Sequence, residues 1–232
     1  MPRPPTQATQ IANLQAAIHR LERGSPKPAD TAPWGQEDRP PRKPSPAADL
    51  LTQLAQPGQL VEWLADGPGT GVDTLAVLTA REALNSDGTL VVVDRHGHFY
   101  PPAAMRLGIA PDRLVLVRVD TLADQTWALD QSLRCRGVAA VLGWPRRLDD
   151  RTYRRLQLAA EEGHTLGLLI RPAEAQSEPS FADARLLVTP LPCAGSSRRL
   201  RIDVLRNRGG REHGSFLVEI DDETHRMSVV AR

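Results

Sequence analysis

Four short, almost wholly apolar runs recur along the middle of the chain, and they constrain its fold more than any other feature. The runs lie at 90–93, 114–117, 137–142 and 165–170. A strand can be apolar on both faces only where both faces of its sheet are covered, as in a parallel sheet flanked by helices. Segments with helical character separate the runs, as right-handed βαβ units require. The sequence therefore predicts an α/β fold with a mostly parallel, twisted sheet and helices on both faces.

The two ends of the chain depart from this pattern. Residues 1–23 carry a narrow apolar stripe that predicts an amphipathic helix, formed by Ile11, Leu14, Ile18 and Leu21. Residues 24–46 hold seven prolines and predict an extended linker. The tethered helix could bury its stripe on its own domain, on a second copy or on a partner. Residues 47–232 are expected to form the α/β domain, whose last strands, near 184–188, 200–205 and 215–220, are predicted to be antiparallel.

The turn after the first predicted strand has the layout of a phosphate-binding loop without its chemistry. A strand at 60–64 enters a glycine-rich turn and then a helix at 73–84. Set against G-x-x-x-x-G-K-[ST], Asp73 stands where a lysine should meet the phosphates, so its carboxylate would repel a nucleotide. We expect no bound cofactor and a structural turn, with residual nucleotide binding through backbone N–H groups as the alternative. The candidate residues of this degenerate loop are Gly67, Gly69, Gly71, Asp73 and Thr74.

Charge is balanced over the whole chain but not along it. The 29 Lys and Arg residues against 28 Asp and Glu residues give a formal net charge of +1, so no global attraction to nucleic acid is indicated. One C-terminal stretch nevertheless holds six arginines: Arg198, Arg199, Arg201, Arg206, Arg208 and Arg211. Strand alternation would turn some of them outward, where they could contact phosphates, contact a protein partner, or simply be solvated at a sheet edge.

Metal and membrane functions have little support in the sequence. Cys135 and Cys193 lack CxxC spacing, and Asp94, His96 and His98 are spaced too tightly for a usual ligand set, so we expect no metal site. No apolar run approaches the roughly 20 residues that span a bilayer, and no apolar core of a secretion signal is evident. We expect a cytoplasmic protein with no membrane partner.

The order of elements over roughly 47–220 resembles the RecA ATPase core. The residues that carry this resemblance lie at 58–62 with Gly67, at 92–94 with His96, and at 114–121. Three further segments, at 153–163, 168–172 and 204–211, resemble the ImuA family, the RecA-like proteins of damage-induced mutagenesis in bacteria.

The RecA pattern implies three positions of chemistry that this chain lacks. Asp73 replaces the lysine, His96 stands where the pattern has the glutamate that positions the attacking water, and Gly143 ends the strand that should end in an acid for magnesium. Because these losses affect phosphate, water and metal separately, we expect the protein not to be an enzyme.

The resemblance to ImuA implies a non-catalytic scaffold of an inducible translesion synthesis complex, associated with the nucleoid when induced. The implied partners are ImuB, a Y-family-like polymerase homologue, the error-prone DNA polymerase alpha subunit, and RecA itself. The arginine stretch at 198–211 and the N-terminal helix are the expected contact surfaces. Two alternatives stay open: a single-stranded-DNA-binding protein that uses 198–211, and a nucleotide-binding RecA relative that regulates cell division.

Overall fold

A computed structural model describes residues 15–16, 51–66, 69–84, 88–193, 195, 197–208, 214–224 and 226–231. Residues 15 and 16 are helical. Four groups of predicted features lie outside the described residues: the apolar stripe (Ile11, Leu14, Ile18 and Leu21), the proline-rich linker, Gly67 of the glycine turn, and Arg211 of the arginine stretch. The boundaries 1–23, 24–46 and 47–232 therefore stay predictions.

Helices and strands alternate through the first two thirds of the described domain, after a helical segment at 51–54. The elements of this part are β1 (Leu60–Ala65), α1 (Val72–Ala83), β2 (Thr89–Asp94), α2 (Pro101–Arg106), β3 (Leu114–Arg118), α3 (Leu122–Arg134), β4 (Val138–Gly143), α4 (Asp150–Gly163) and β5 (Leu166–Pro172). Strands alone follow, as β6 (Ala184–Leu191), β7 (Ser197–Asn207), β8 (Ser215–Asp221) and β9 (Met227–Ala231). Short 3-10 helices lie at Pro111–Arg113 and Ala173–Ser177.

The strands form one nine-stranded sheet in the order β3-β2-β4-β5-β1-β6-β7-β8-β9. All pairings from β3 to β6 are parallel, and the pairings of β6 with β7, β7 with β8 and β8 with β9 are antiparallel. The predicted mixed sheet, mostly parallel with antiparallel C-terminal strands, is therefore confirmed. The sequence did not predict β9, a short edge strand whose side chains are half-buried or exposed where described and which gives little apolar pattern.

Helices cover both faces of the parallel part of the sheet. On one face α1 contributes Val72, Leu75 and Leu78 to a core that also contains Phe99, Ala104 and the inward residues of β7 and β8. On the other face α3 and α4 contribute a second core around Leu129, Leu133, Tyr153 and Leu156. The side chains of Thr121 and Asp149 cap these two helices, since they accept hydrogen bonds from the backbone N–H groups of Asp124 and Thr152. Among the described residues, no helix has the length and apolar character needed to cross a membrane.

Candidate functional site

The carboxyl edge of the parallel strands is where open α/β sheets place their ligands, and it holds the degenerate glycine turn. Gly71 caps α1 with a φ of 83°, a conformation that L side chains rarely adopt. A Cβ at this position would lie 2.8 Å from Leu200 Cδ1 of β7. Glycine is therefore required at position 71 both by the backbone conformation and by the close approach of β7.

The side chains that should meet phosphate and metal instead contact other parts of the chain. The indole Nε1 of Trp144 donates a 2.8 Å hydrogen bond to Asp73 Oδ1. A guanidinium nitrogen of Arg198 donates a 3.1 Å hydrogen bond to Thr74 Oγ1. Trp144 directly follows β4, and Arg198 lies on β7, so the structure brings three predicted regions together at the first turn of α1. Asp73 also lies at the positive end of the helix dipole, where a carboxylate stabilises the helix.

Gly143 at the end of β4 has a packing role. A Cβ at Gly143 would lie 2.9 Å from Leu129 Cδ2 of α3 and 3.5 Å from the Val93 carbonyl oxygen. Leu129 is fully buried. A side chain at this position would require the buried Leu129 side chain to shift, so glycine here favours close packing of α3 on the sheet.

His96 lies in an exposed loop that the Asp94 carboxylate organises. Asp94 Oδ1 accepts hydrogen bonds from the backbone N–H groups of His96, Gly97 and His98 at 3.1, 2.8 and 3.2 Å, and Oδ2 accepts one from Phe99 at 2.9 Å. Arg118 of β3 pairs with the same carboxylate at 2.9 Å.

Burial raises the pKa of Asp94, but the N–H groups of Phe99 and His98, the Arg118 charge and the N–H of Gly97 outweigh it and hold the pKa below its ordinary 3.8. The His96 and His98 rings stack on each other with centroids 5.4 Å apart. No group of side chains with a metal-binding arrangement occurs within the described part of the chain.

The arginines of β7 and the turn after it contact acids and carbonyl groups of this chain. Three of them pair with carboxylates at 2.6–3.0 Å: Arg198 with Asp222, Arg199 with Glu219 of the neighbouring strand, and Arg201 with Asp203. Arg206 donates to the Ser180 carbonyl oxygen at 2.7 Å, and Arg208 lies 3.6 Å from Asp183. The alternation predicted for this strand is observed, since Leu200, Ile202 and Val204 are buried. The role of these arginines as a contact surface stays a prediction, and much of their charge is offset locally.

A buried charge cluster that was not predicted from the sequence lies at the centre of the sheet. Glu62 of β1 and Arg171 of β5 are both 0% exposed and pair at 2.7 Å. Arg185 of β6 pairs with the second oxygen of Glu62. Glu178 pairs with Arg171 at 2.5 Å, and Ser180 Oγ lies within hydrogen-bond distance of Glu62 Oε2, at 3.2 Å, and of the Tyr153 hydroxyl, at 2.9 Å. We refer to Glu62, Arg171 and Arg185 as the buried cluster; Glu178, whose side chain is 37% exposed, lies at its edge.

The buried cluster has the features of a structural site rather than a catalytic one. Burial and the Glu62 charge raise the pKa of the Tyr153 phenol well above its ordinary 10, so it holds its proton at neutral pH. Arg171 and Arg185 also donate to backbone carbonyl oxygens of Pro145, Arg146, Ala175, Gln176 and Glu178. The cluster therefore fixes the segment between β5 and β6. One sequence signal could have revealed it, because Glu62 interrupts an otherwise apolar strand and Arg171 ends another.

Comparison with known proteins relates the chain to a class of division inhibitors. The chain is 27% identical over 105 residues to the cell division inhibitor SulA of Photorhabdus laumondii, and the match covers 45% of this chain and 59% of that protein. The chain thus matches less than two thirds of the length of this curated relative. The solved structure of SulA from Pseudomonas aeruginosa matches 48% of this chain and 97% of that one, with a TM-score of 0.42 and 21% identity. No family model matches the chain.

These findings correct the family expected from the sequence. The match is to SulA, and nothing found points to ImuA. The translesion scaffold is therefore wrong, and so are its expected partners, namely the ImuB-like polymerase homologue, the error-prone polymerase subunit and RecA. Of the two alternatives, the regulator of cell division agrees better with the relative. Neither comparison supports the expected relationship to RecA, and nothing found shows association with the nucleoid.

The structure gives a physical reason for this error. The three segments that resemble ImuA are the buried face of α4, the end of β5 and the end of β7. Tyr153 and Leu156 are buried between helix and sheet, and Arg171 is held by Glu62. Residues in such packing roles are determined by the framework of helices and sheet. They therefore report on the architecture and not on the partner.

Proposed function

We propose that this chain is a non-enzymatic inhibitor of cell division that acts through protein contacts. The single observation that carries the proposal is the 27% identity over 105 residues to the curated SulA of Photorhabdus laumondii. The contacts at the carboxyl edge of the sheet support the part of the proposal that the chain is not an enzyme. Asp73 accepts a hydrogen bond from Trp144 and Gly143 packs against Leu129, so both have structural roles that need no nucleotide, and the His96 ring stacks on that of His98.

Controlled expression in a rod-shaped bacterial host tests the inhibitor. We expect cells to elongate into filaments several times the normal length while their mass continues to increase, because division stops and growth does not. The Photorhabdus SulA relative, expressed to the same level, is the positive control, and the empty vector is the negative control. If the relative elongates the cells and this chain leaves their length unchanged at equal abundance, the proposal is wrong.

Calorimetry with ATP and Mg²⁺ tests whether the chain binds or hydrolyses the nucleotide. We expect no binding heat and no phosphate release, since Asp73 offers a negative charge to the phosphates. Hydrolysis that depends on Asp73 or Thr74 would contradict this part of the proposal and leave the cell-length result untouched.

Two further predictions accompany this proposal, one about the fold and one about the location of the protein. A RecA-like P-loop core is supported by the glycine turn between β1 and α1 and by the central position of β1, next to β5 and β6. A cytoplasmic location is the expectation for an inhibitor that acts on the division apparatus.

A further inference from the structure

The residues that follow β2 form an exposed surface with aromatic, apolar and cationic side chains. Tyr100 is 67% exposed and Met105 is 40% exposed, although both belong to residue types that are usually more buried. Residues 95–106 contain two arginines, two histidines and no acid. We name the exposed side chains of this segment the Tyr100 surface: Arg95, His96, His98, Tyr100, Met105 and Arg106.

The backbone beneath the Tyr100 surface is held in one conformation. Asp94 accepts the four backbone N–H groups from 96 to 99, and the buried side chains of Phe99 and Ala104 anchor the segment on either side of Tyr100. Pro101 begins α2, and the Ala103 N–H donates to the Tyr100 carbonyl oxygen at 3.0 Å. An exposed tyrosine on a fixed backbone loses little conformational entropy when a partner binds it, which is typical of an interface anchor.

The charge of this surface indicates the kind of partner. Asp94, the acid at its base, is 1% exposed, and its charge is offset by Arg118 and the four N–H groups. Arg95 donates to the backbone carbonyl of Asp120 and not to its carboxylate. The β7 arginines, in contrast, lie beside carboxylates of this chain. The Tyr100 surface therefore presents cations to solvent around an aromatic anchor and complements an acidic surface with an apolar recess.

We propose that the Tyr100 surface is the docking site for the protein on which this chain acts, and that this protein presents an acidic surface around a recess that receives the Tyr100 side chain. The proposal rests on the proposed function as a division inhibitor. It assigns the contact to the carboxyl edge of β2 and not to the arginines of β7.

Site-specific photo-crosslinking in cells tests the surface. The full chain carries p-benzoylphenylalanine at position 100 or, as the matched control, at Leu158, which is 43% exposed on α4 and belongs to the opposite face of the sheet. We expect one crosslinked protein from position 100, joined through a peptide rich in Asp and Glu, and at least about tenfold less product from position 158. A crosslink to a second copy of this chain, to a peptide without acids, or equal yields from both positions would overturn the proposal.

Charge reversal tests the electrostatic part and separates the two proposals. With the crosslinker at position 100, the variant R95E/R106E should lose most of the product, whereas R147E/R151E, which reverses two exposed arginines at the start of α4, should keep it. Circular dichroism and the thermal midpoint establish that both variants fold. If the wild-type chain elongates cells and position 100 gives no crosslink, the docking site is wrong and the function stands. If cells do not elongate but the acidic crosslink forms, the function is wrong and the surface stands.

Discussion

Two groups of arginine–carboxylate pairs lie in the same sheet and differ in burial. In the buried cluster, the side chains of Glu62 on β1 and Arg171 on β5 are fully buried. On β7 and β8, Arg199 and Glu219 pair across neighbouring strands with 39% and 29% of their side chains exposed. The chemistry of the two groups is the same. The two groups differ in the cost of losing one partner. On β7 and β8 water can solvate the charge that remains, whereas in the buried cluster it cannot.

This difference shows why a count of arginines in a sequence says little about their availability. The stretch at 198–211 looks like a cationic surface because it contains one aspartate, Asp203, and its other partner acids lie elsewhere along the chain, on β8, in the turn after it and before β6. Folding places Glu219, Asp222 and Asp183 beside it. The segment at 95–106 has fewer cations, but Arg95 and Arg106 are exposed and no acid lies in its sequence.

The largest expected effect comes from the buried cluster. Glu62→Gln leaves Arg171 and Arg185 enclosed without their shared carboxylate, so we expect a loss of about 3–5 kcal/mol in the free energy of unfolding. Urea unfolding followed by circular dichroism measures it. Glu174→Gln, at an exposed position in the neighbouring 3-10 helix, is the matched control and should change little. A loss below about 1 kcal/mol for Glu62→Gln would mean that water reaches the cluster.

An intermediate effect is expected at Asp94, whose carboxylate is buried while its partner Arg118 is 48% exposed. Asp94→Asn removes the charge that four N–H groups and Arg118 share, and we expect a loss of about 2 kcal/mol at pH 7. The pKa of Asp94 is lowered in the folded state. Its contribution is therefore complete above the ordinary value of 3.8 and is lost as the pH falls through the lowered folded-state pKa.

The pH dependence gives the sharper measurement at Asp94. The difference in unfolding free energy between the wild type and Asp94→Asn should be constant from pH 7 to about pH 5 and shrink toward pH 2. Asp112→Asn, at an exposed position before β3, is the control for the general effect of removing a carboxylate. A difference that stays constant down to pH 2 would show that the hydrogen bonds at Asp94 do not depend on its charge.

Much of the fold could be predicted, because its signals are local. The apolar runs predicted β2 to β5, and the glycine turn predicted the passage from β1 to α1. The pairing of Glu62 with Arg171 could not be predicted in this way, since the two residues lie 109 positions apart and meet only through the parallel pairing of β1 and β5.

The candidate site was less accessible to sequence reasoning than the fold. The glycine turn, Gly143 and Arg198 were singled out as separate features, and only the fold brings them to the first turn of α1. The engagement of Asp73 by Trp144 had no sequence signal, because the two residues are 71 positions apart. The exposure of Tyr100 was equally hidden, since an aromatic residue after a buried strand is as often part of the core.

The smallest effect is expected on β7 and β8. Hydrogen bonding with Arg199 lowers the pKa of Glu219, so the pair forms in the folded state, but both side chains remain in contact with water. Glu219→Gln should therefore leave the urea midpoint close to that of the wild type, and any small difference should disappear at high salt because exposed charges are screened. It should also free the Arg199 guanidinium for an external anion. If Glu219→Gln creates salt-dependent binding to a single-stranded oligonucleotide that the wild type lacks, the local acids are what keep the β7 arginines from phosphate. If the wild type already binds the oligonucleotide equally well, the pairing on β7 and β8 does not limit these arginines, and their contrast with the Tyr100 surface fails.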